Sequence, residues 1–152
     1  MSKPTCLLVG STKQVERQLR KISPEGVITI RSMEQAMRRL DEGGIDLMIF
    51  GPTMRRSLAM VRTWRQSGGY PAVALLVVYR DDQRSDVTAH RKGDFTADAY
   101  VMQSKVTRQL PKAVDEAIAA SIARSEAVVS IDEIEEIEEI EEIEEIEEIE
   151  EI

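Results

Sequence analysis

The chain has 152 residues, of which 42% are apolar, and a formal net charge of −8, which is enough material for one domain with a hydrophobic core. Its single cysteine, Cys6, allows no disulfide framework, and no apolar run approaches the roughly 18 residues of a membrane span. These features exclude a disulfide-stapled scaffold and predict a cytoplasmic protein without a membrane span.

The charge is distributed very unevenly along the chain. Ile131 to Ile152 holds fourteen acidic residues and no basic residue, mostly as a repeat of Glu-Glu-Ile. The preceding 130 residues hold twenty Lys and Arg against fourteen Asp and Glu, so they carry +6 while the last 22 carry −14. We therefore predict a domain over residues 1–126 and an acidic low-complexity tail over residues 127–152, helical or disordered.

The first half of the chain alternates short apolar runs with amphipathic stretches. The turn Gly10-Ser11-Thr12 holds candidate N-caps for the first helix, and Ser32 is the candidate for the second. Apolar residues recur at helical spacing after each cap, and the runs between them are short enough to be buried strands. The predicted strands are Cys6 to Val9, Val27 to Ile30 and Asp46 to Phe50.

The second half continues the same alternation. Thr53 is a candidate cap for a third helix, on which Trp64 falls beside the apolar stripe and is expected at the partly exposed edge of the core. Pro111 suits the first turn of the last helix. The other predicted elements are strands at Ala72 to Tyr79 and Tyr100 to Met102, and a short helix at Ser85 to Lys92.

Five strands that each precede a helix predict an α/β fold with a five-stranded parallel sheet between two layers of helices. This (βα)5 order, with compact units and no large insertion, corresponds to a flavodoxin-like three-layer sandwich.

Four segments resemble the receiver domain of two-component response regulators, and the resemblance covers about residues 4 to 126. Three of them, "CLLVGS", "DLMIFGPTM" and "YPAVALLV", correspond to the first, third and fourth strands of that family. The fourth, "ADAYVMQS", is similar to the family's Ala-Asp-Asp-Tyr-Leu segment before Lys-Pro. The stretch "AHRKGDFTADAYV" is closest to the atypical receiver-like domains of myxobacterial gliding-motility regulators of the FrzS type.

The resemblance implies a phosphorylation pocket, and this sequence departs from it at every functional position. A receiver uses two acids for Mg²⁺, a phosphoacceptor carboxylate, a hydroxyl group and a lysine. Those positions correspond here, in that order, to Gly10 and Ser11, Gly51, Leu76 or Val77, and Gln103. The resemblance therefore implies a degenerate pocket, with no catalytic residue, metal or cofactor, in a pseudo-receiver that is not an enzyme.

In receivers, the face around the fourth helix and fifth strand usually contacts signalling partners. The corresponding candidates for partner binding are Arg84, His90, Arg91, Lys92 and Tyr100. As the lone histidine, His90 is expected at the surface or half buried. The resemblance thus predicts a protein-protein interaction module in bacterial signalling or motility, with self-association left open.

Two alternatives remain open at this point. One is an atypical response regulator with a non-standard phosphate or anion site. The other is a scaffold or nucleic-acid-associated protein that uses the basic body and the acidic tail. Against nucleic acid, the basic residues are spread over several helices and no aromatic stacking platform accompanies them.

Overall fold

The structure, a computed structural model, describes residues 3–54, 56–67, 70 and 72–126. The predicted acidic tail, residues 127–152, lies outside these described residues. In the described part, strands and helices alternate from the first strand to the last helix. The strands are β1 (Cys6–Val9), β2 (Val27–Ile30), β3 (Leu47–Phe50), β4 (Ala74–Tyr79) and β5 (Ala99–Met102). The helices are α1 (Lys13–Ile22), α2 (Met33–Asp41), α3 (Ser57–Ser67), α4 (Arg84–Arg91) and α5 (106–126).

All five strands are parallel and lie in the order β2-β1-β3-β4-β5. The predicted α/β fold class is therefore confirmed. The strand order reverses between β1 and β3, where Val9 pairs with Phe50. In open α/β sheets this reversal creates a crevice beyond the carboxyl ends of the two strands, which is the usual ligand site of the fold.

The core has one apolar layer on each face of the sheet. Cys6 and Leu8 of β1 point to the layer that α1 and α5 cover, whereas Leu7 and Val9 point to the layer that α2 and α3 cover. All four of these side chains are fully buried. Alternation at period two, with apolar residues at every position, is what a strand buried on both faces requires.

Local signals place the first two helices correctly. The Thr12 hydroxyl accepts a hydrogen bond from the Val15 amide and the Ser32 hydroxyl accepts one from the Gln35 amide, as the capping patterns predict. No helix in the described part of the chain is both long and apolar enough to cross a membrane.

Three predictions about the helices are wrong. Helix α3 begins at Ser57 rather than after Thr53, because the Thr53 amide donates instead to the Gly10 carbonyl. Trp64 is only 6% exposed, since it packs into the layer under α2 and α3 and stacks on Tyr70. Pro111 lies in the second turn of α5, because the helix already begins at residue 106.

Candidate functional site

The crevice at the carboxyl edge of the sheet brings together three of the predicted pocket residues. Gly10 directly follows β1, Ser11 is its neighbour, and Gly51 directly follows β3. Because Val9 pairs with Phe50, the two glycines lie at the same level of the sheet. Gln103 follows β5 and lines a separate shallow cleft with Gln14. Gly10, Ser11 and Gly51 therefore lie together at this edge, and Gln103 lies apart from them.

Leu76 and Val77 do not reach this edge. Both are fully buried inside β4, where they pair with Ile49 and Phe50. The strand continues to Tyr79 before it ends. The prediction that these two residues occupy the pocket is corrected, because each side chain belongs to the core.

The position of Gly51 leaves no room for any side chain. A Cβ atom built there would lie 2.5 Å from the Gly10 carbonyl oxygen and 2.6 Å from the Ser11 Cα atom. Real Cβ atoms are essentially never found that close to another heavy atom. Both neighbours are main-chain atoms, so they cannot move away by rotating a side chain. The space that a side chain at position 51 would need is therefore filled by the backbone of the β1-α1 loop.

Hydrogen bonds hold this loop in place. The Gly51 amide donates to the Val9 carbonyl over 2.8 Å, and the Thr53 amide donates to the Gly10 carbonyl over 3.0 Å. Gly10 has a φ of +63°, which an L-residue adopts only at a cost, and a Cβ atom there would lie 3.0 Å from Met54 Cα. The two loops thus pack backbone against backbone.

The acids near this edge have local partners. Asp81 Oδ1 accepts a hydrogen bond from the Ser104 amide, and Asp82 pairs with Arg80 over 3.2 Å. Magnesium requires several hard oxygen ligands, of which carboxylates are the strongest. Gly10 and Ser11 provide no carboxylate, and no cluster of metal-ligating side chains occurs among residues 3–54, 56–67, 70 and 72–126. The residues present do not fit the Mg²⁺ site that the receiver fold implies.

A different concentration of charge lies at the amino edge of the sheet, just before β5. The Asp98 carboxylate is 7% exposed and forms ion pairs with Arg65 at 2.9 Å and Arg124 at 2.7 Å. It also accepts a hydrogen bond from the Leu75 amide at the start of β4. Asp98 therefore ties α3, α5 and β4 together. The sequence marks only its place in the "ADAY" segment; neither arginine carries a recognisable signal.

Two aromatic groups extend this network under α4. The Tyr100 hydroxyl accepts a hydrogen bond from the Ala97 amide, and its ring lies edge-on to the His90 ring at 5.9 Å between centroids. The Arg91 guanidinium lies 5.2 Å from the centroid of the Tyr100 ring. The pKa of the Tyr100 hydroxyl is raised, and burial is the largest of its several causes.

The expected exposure of His90, one of the predicted partner-binding residues, is wrong. The residue is 7% exposed, not at the surface or half buried, and its Nε2 atom has no hydrogen-bond partner within the described residues. Burial lowers the pKa of His90, and the nearby Arg62 guanidinium lowers it further. The ring packs against Tyr100 because it lies on the inner face of α4 with Val87.

The other four candidates remain at or near the surface. Arg84 and Lys92 are exposed at opposite ends of α4, about 12 Å apart along the helix axis. Arg91 is exposed and Tyr100 is half buried, and these two are in contact. The structure therefore brings Arg91 and Tyr100 together and leaves Arg84 apart from them.

A second surface feature carried no sequence signal. A cleft of about 380 Å³ between α2 and α3 is lined mainly by apolar side chains. They include Met33, Met37, Met60 and Trp64. These side chains belong to two separate helices, and only the packing of α2 against α3 brings them together along one groove.

Comparison with known proteins establishes the fold. No protein-family model matches this chain, and no curated protein sequence is significantly similar to it. Among solved structures, one similar chain is the signal receiver domain of an HD domain-containing protein from Pseudomonas fluorescens, with a TM-score of 0.64 and 18% sequence identity. The alignment covers 83% of this chain and 95% of that domain.

Another similar structure is the RcsB response regulator of Salmonella typhimurium, with a TM-score of 0.54 and 12% identity. That alignment covers 72% of this chain and 59% of the regulator. At such low identity the likeness concerns the backbone and not the chemistry of individual residues. Together with the 2-1-3-4-5 strand order, it shows that residues of this chain adopt the fold of signal receiver domains.

Proposed function

We propose that this protein is a pseudo-receiver that accepts no phosphoryl group at the usual site and acts as a protein-protein interaction module. The observation that carries the proposal is the backbone of Gly10 and Ser11, which occupies the space of a side chain at Gly51. Transfer of a phosphoryl group requires a carboxylate in line with the donor and a metal to neutralise charge. The carboxyl edge supplies neither group.

The proposed setting is the cytoplasm of a bacterium, in a signalling or motility pathway. This setting follows from the receiver fold and from the sequence resemblance to FrzS-type domains. The proposed function is not enzymatic, because receiver domains act through the surfaces they present. Binding of a partner replaces phosphorylation as the input.

Incubation of the full-length protein with acetyl phosphate and Mg²⁺ tests the first half of the proposal. Intact-protein mass spectrometry should show no covalent phosphate. A Gly51→Asp variant should also remain unmodified, because it restores a carboxylate without restoring its space or its metal ligands. Stoichiometric phosphate on the natural sequence would contradict the proposal and favour an atypical response regulator with a non-standard site.

The second half concerns the partner surface, which we place on the exposed side of α4 and β5 at Arg84, Arg91, Lys92 and Tyr100. Three of these are exposed and Tyr100 is half buried, so a partner can contact them without unfolding the domain. A protein that the natural chain captures should be lost by the variant Arg84→Glu/Arg91→Glu/Lys92→Glu.

The matched control carries the same change of charge on the opposite face of the sheet. Its substitutions, Lys13→Glu, Arg17→Glu and Lys21→Glu, fall on exposed residues of α1. The same partner should remain bound to this control. Loss from both variants, or from neither, would contradict the placement of the interface on α4 and β5.

A further inference from the structure

The amino edge of the sheet carries a surplus of positive charge. We call the side chains of Arg62, Arg65, Arg91, Arg124 and Asp98 the amino-edge cluster. Arg65 and Arg124 bind Asp98 directly, Arg62 acts electrostatically on His90, and Arg91 covers the ring of Tyr100. Two of the four guanidinium groups therefore share the Asp98 carboxylate, and the other two lie beside aromatic rings. The cluster is at the end of the sheet opposite to Gly10 and Gly51.

Part of this surplus has no anionic partner within the described residues. Arg62 and Arg91 are exposed and form no ion pair there, and neither does the adjacent Lys92. Two acids of the same segment, Asp86 and Asp94, also form no ion pair with these groups. Beneath them, the buried Nε2 atom of His90 lacks a hydrogen-bond partner. The cluster is thus positioned to receive an anionic group from outside the described domain.

The path of the chain brings an anionic segment to this place. Arg124, which binds Asp98, lies two residues before the described part of α5 ends at residue 126. The following 26 residues include all fourteen acids of Ile131 to Ile152. Fully extended, 26 residues span at most about 90 Å, so reach does not limit contact with α3 or α4.

We infer that the acidic tail, Ile131 to Ile152, docks on the amino-edge cluster of its own chain. Its glutamates supply carboxylates to the guanidinium groups of Arg62 and Arg91, and charge-assisted hydrogen bonds of this kind are the strong ones. A tether that starts beside the site gives an effective concentration on the order of millimolar, so weak individual contacts suffice. The inference goes beyond the proposed function and does not depend on it.

A paramagnetic label on the tail of the full-length protein tests this inference. A nitroxide is attached to the variant Ile140→Cys in ¹⁵N-labelled protein. Cys6 is fully buried and burial raises the pKa of its thiol to about 12, so the label reacts selectively at position 140. We expect the amide signals of Arg62, Arg91 and Lys92 to be lost, and those of Lys13 and Arg17 to persist.

Two matched variants decide whether charge is the cause. Arg62→Gln/Arg91→Gln/Lys92→Gln should restore the broadened signals, and so should about 0.5 M NaCl, because salt screens exposed charges. Lys13→Gln/Arg17→Gln/Lys21→Gln on α1 should leave the broadening unchanged. The inference would be overturned by equal broadening of the signals from α1 and from Arg62, Arg91 and Lys92, or by no broadening at all. Broadening that persists in Arg62→Gln/Arg91→Gln/Lys92→Gln would also overturn it.

A mixture of ¹⁵N-labelled protein without nitroxide and ¹⁴N protein that carries the nitroxide distinguishes docking within one chain from docking on a second copy. The inference expects no broadening in this mixture at low protein concentration. Broadening there equal to that within one chain would assign the tail to a neighbouring molecule and overturn docking within the chain. The phosphorylation test on Gly51 is unaffected by either result.

Discussion

The two edges of the sheet differ in what fills them. At the carboxyl edge, where receiver domains keep their chemistry, main-chain atoms of the Gly10 and Gly51 loops fill the space. At the amino edge, which the fold usually leaves without a ligand, Arg65 and Arg124 pair with the buried Asp98 carboxylate, while Arg62 and Arg91 lie beside His90 and Tyr100. The comparison shows that main-chain packing leaves no room for a side chain at the carboxyl edge, whereas buried charge organises the amino edge.

The amino edge should be the more sensitive of the two to a single substitution. Asp98→Ala removes the shared partner of Arg65 and Arg124 and leaves the Arg65 guanidinium, 14% exposed, without its carboxylate. Breaking a buried ion pair from one side costs about 4 kcal/mol. Urea unfolding followed by Trp64 fluorescence should show this loss of unfolding free energy.

The matched control breaks an exposed pair. Glu34→Ala removes the partner of Arg38, where both side chains are about three-quarters exposed, and should cost about 0.3 kcal/mol. If Asp98→Ala cost no more than Glu34→Ala, the amino-edge cluster would not be a structural centre.

A substitution at Gly51 tests whether the space beside it at the carboxyl edge is filled. Gly51→Ala forces a Cβ atom against the Gly10 carbonyl and the Ser11 Cα atom, and overpacking of this severity costs about 3 kcal/mol. Thermal unfolding should show a melting temperature lower by about 10 °C.

Gly93→Ala is the control for this loss. Gly93 follows α4, and a Cβ atom there would meet only the His90 carbonyl at 3.3 Å, so the cost should stay below about 1 kcal/mol. A Gly51→Ala protein as stable as Gly93→Ala would show that the β1-α1 loop yields, and would reopen the possibility of a side chain in the pocket.

The pH dependence of stability distinguishes the edges again, because the amino edge contains the only histidine. The folded state holds the pKa of His90 below 6.5, so the unfolded state binds the proton more tightly. The full stability contribution is present above pH 6.5 and is lost as the pH falls below it. Arg62 and Tyr100 face the ring, and neither supplies a negative charge at these pH values.

The measurement compares the natural chain with His90→Gln, which cannot titrate. The unfolding free energy of the natural chain should fall relative to the variant between about pH 7 and pH 5. Parallel curves for the two proteins would show that His90 is not desolvated.

The smallest expected effect concerns the exposed side of the amino-edge cluster. Arg91→Gln removes the cation from the Tyr100 ring and should cost about 0.5 kcal/mol. Arg17→Gln on α1, which is exposed and forms no ion pair among the described residues, should cost nothing measurable. Chemical unfolding of the two variants side by side measures this difference. Equal unfolding free energies would show that Arg91 does not stabilise Tyr100.

Sequence reasoning succeeded where local pattern and burial agree. The runs at Cys6 and Leu47 became central strands because every residue in them is apolar, and Thr12 and Ser32 became caps because a hydroxyl there meets a free amide. It failed at Thr53, whose amide is used by a residue more than forty positions away. Long-range use of a backbone group leaves no trace in a window of neighbouring residues.

The same reason explains the misplaced side chains. Trp64 falls beside the apolar stripe of its helix, so periodicity assigns it to the edge of the core, and a lone histidine such as His90 carries no sequence sign of burial. Their burial depends on Tyr70 and Tyr100, which reach them from other elements. Leu76 and Val77 lie inside β4, which continues to Tyr79, so both belong to the core rather than to the end of the strand.

The sequence by itself determined the order of strands and helices, the missing carboxylates at Gly10, Ser11 and Gly51, and the separation of charge between residues 1–130 and the last 22. These follow from composition and spacing, which need no tertiary contact. Only the tertiary structure decided that backbone fills the space beside Gly51, and that Arg65 and Arg124 pair with Asp98 while Arg62 and Arg91 lie beside His90 and Tyr100. Residues scattered over more than sixty positions meet there because parallel strands return each helix to the same edge of the sheet.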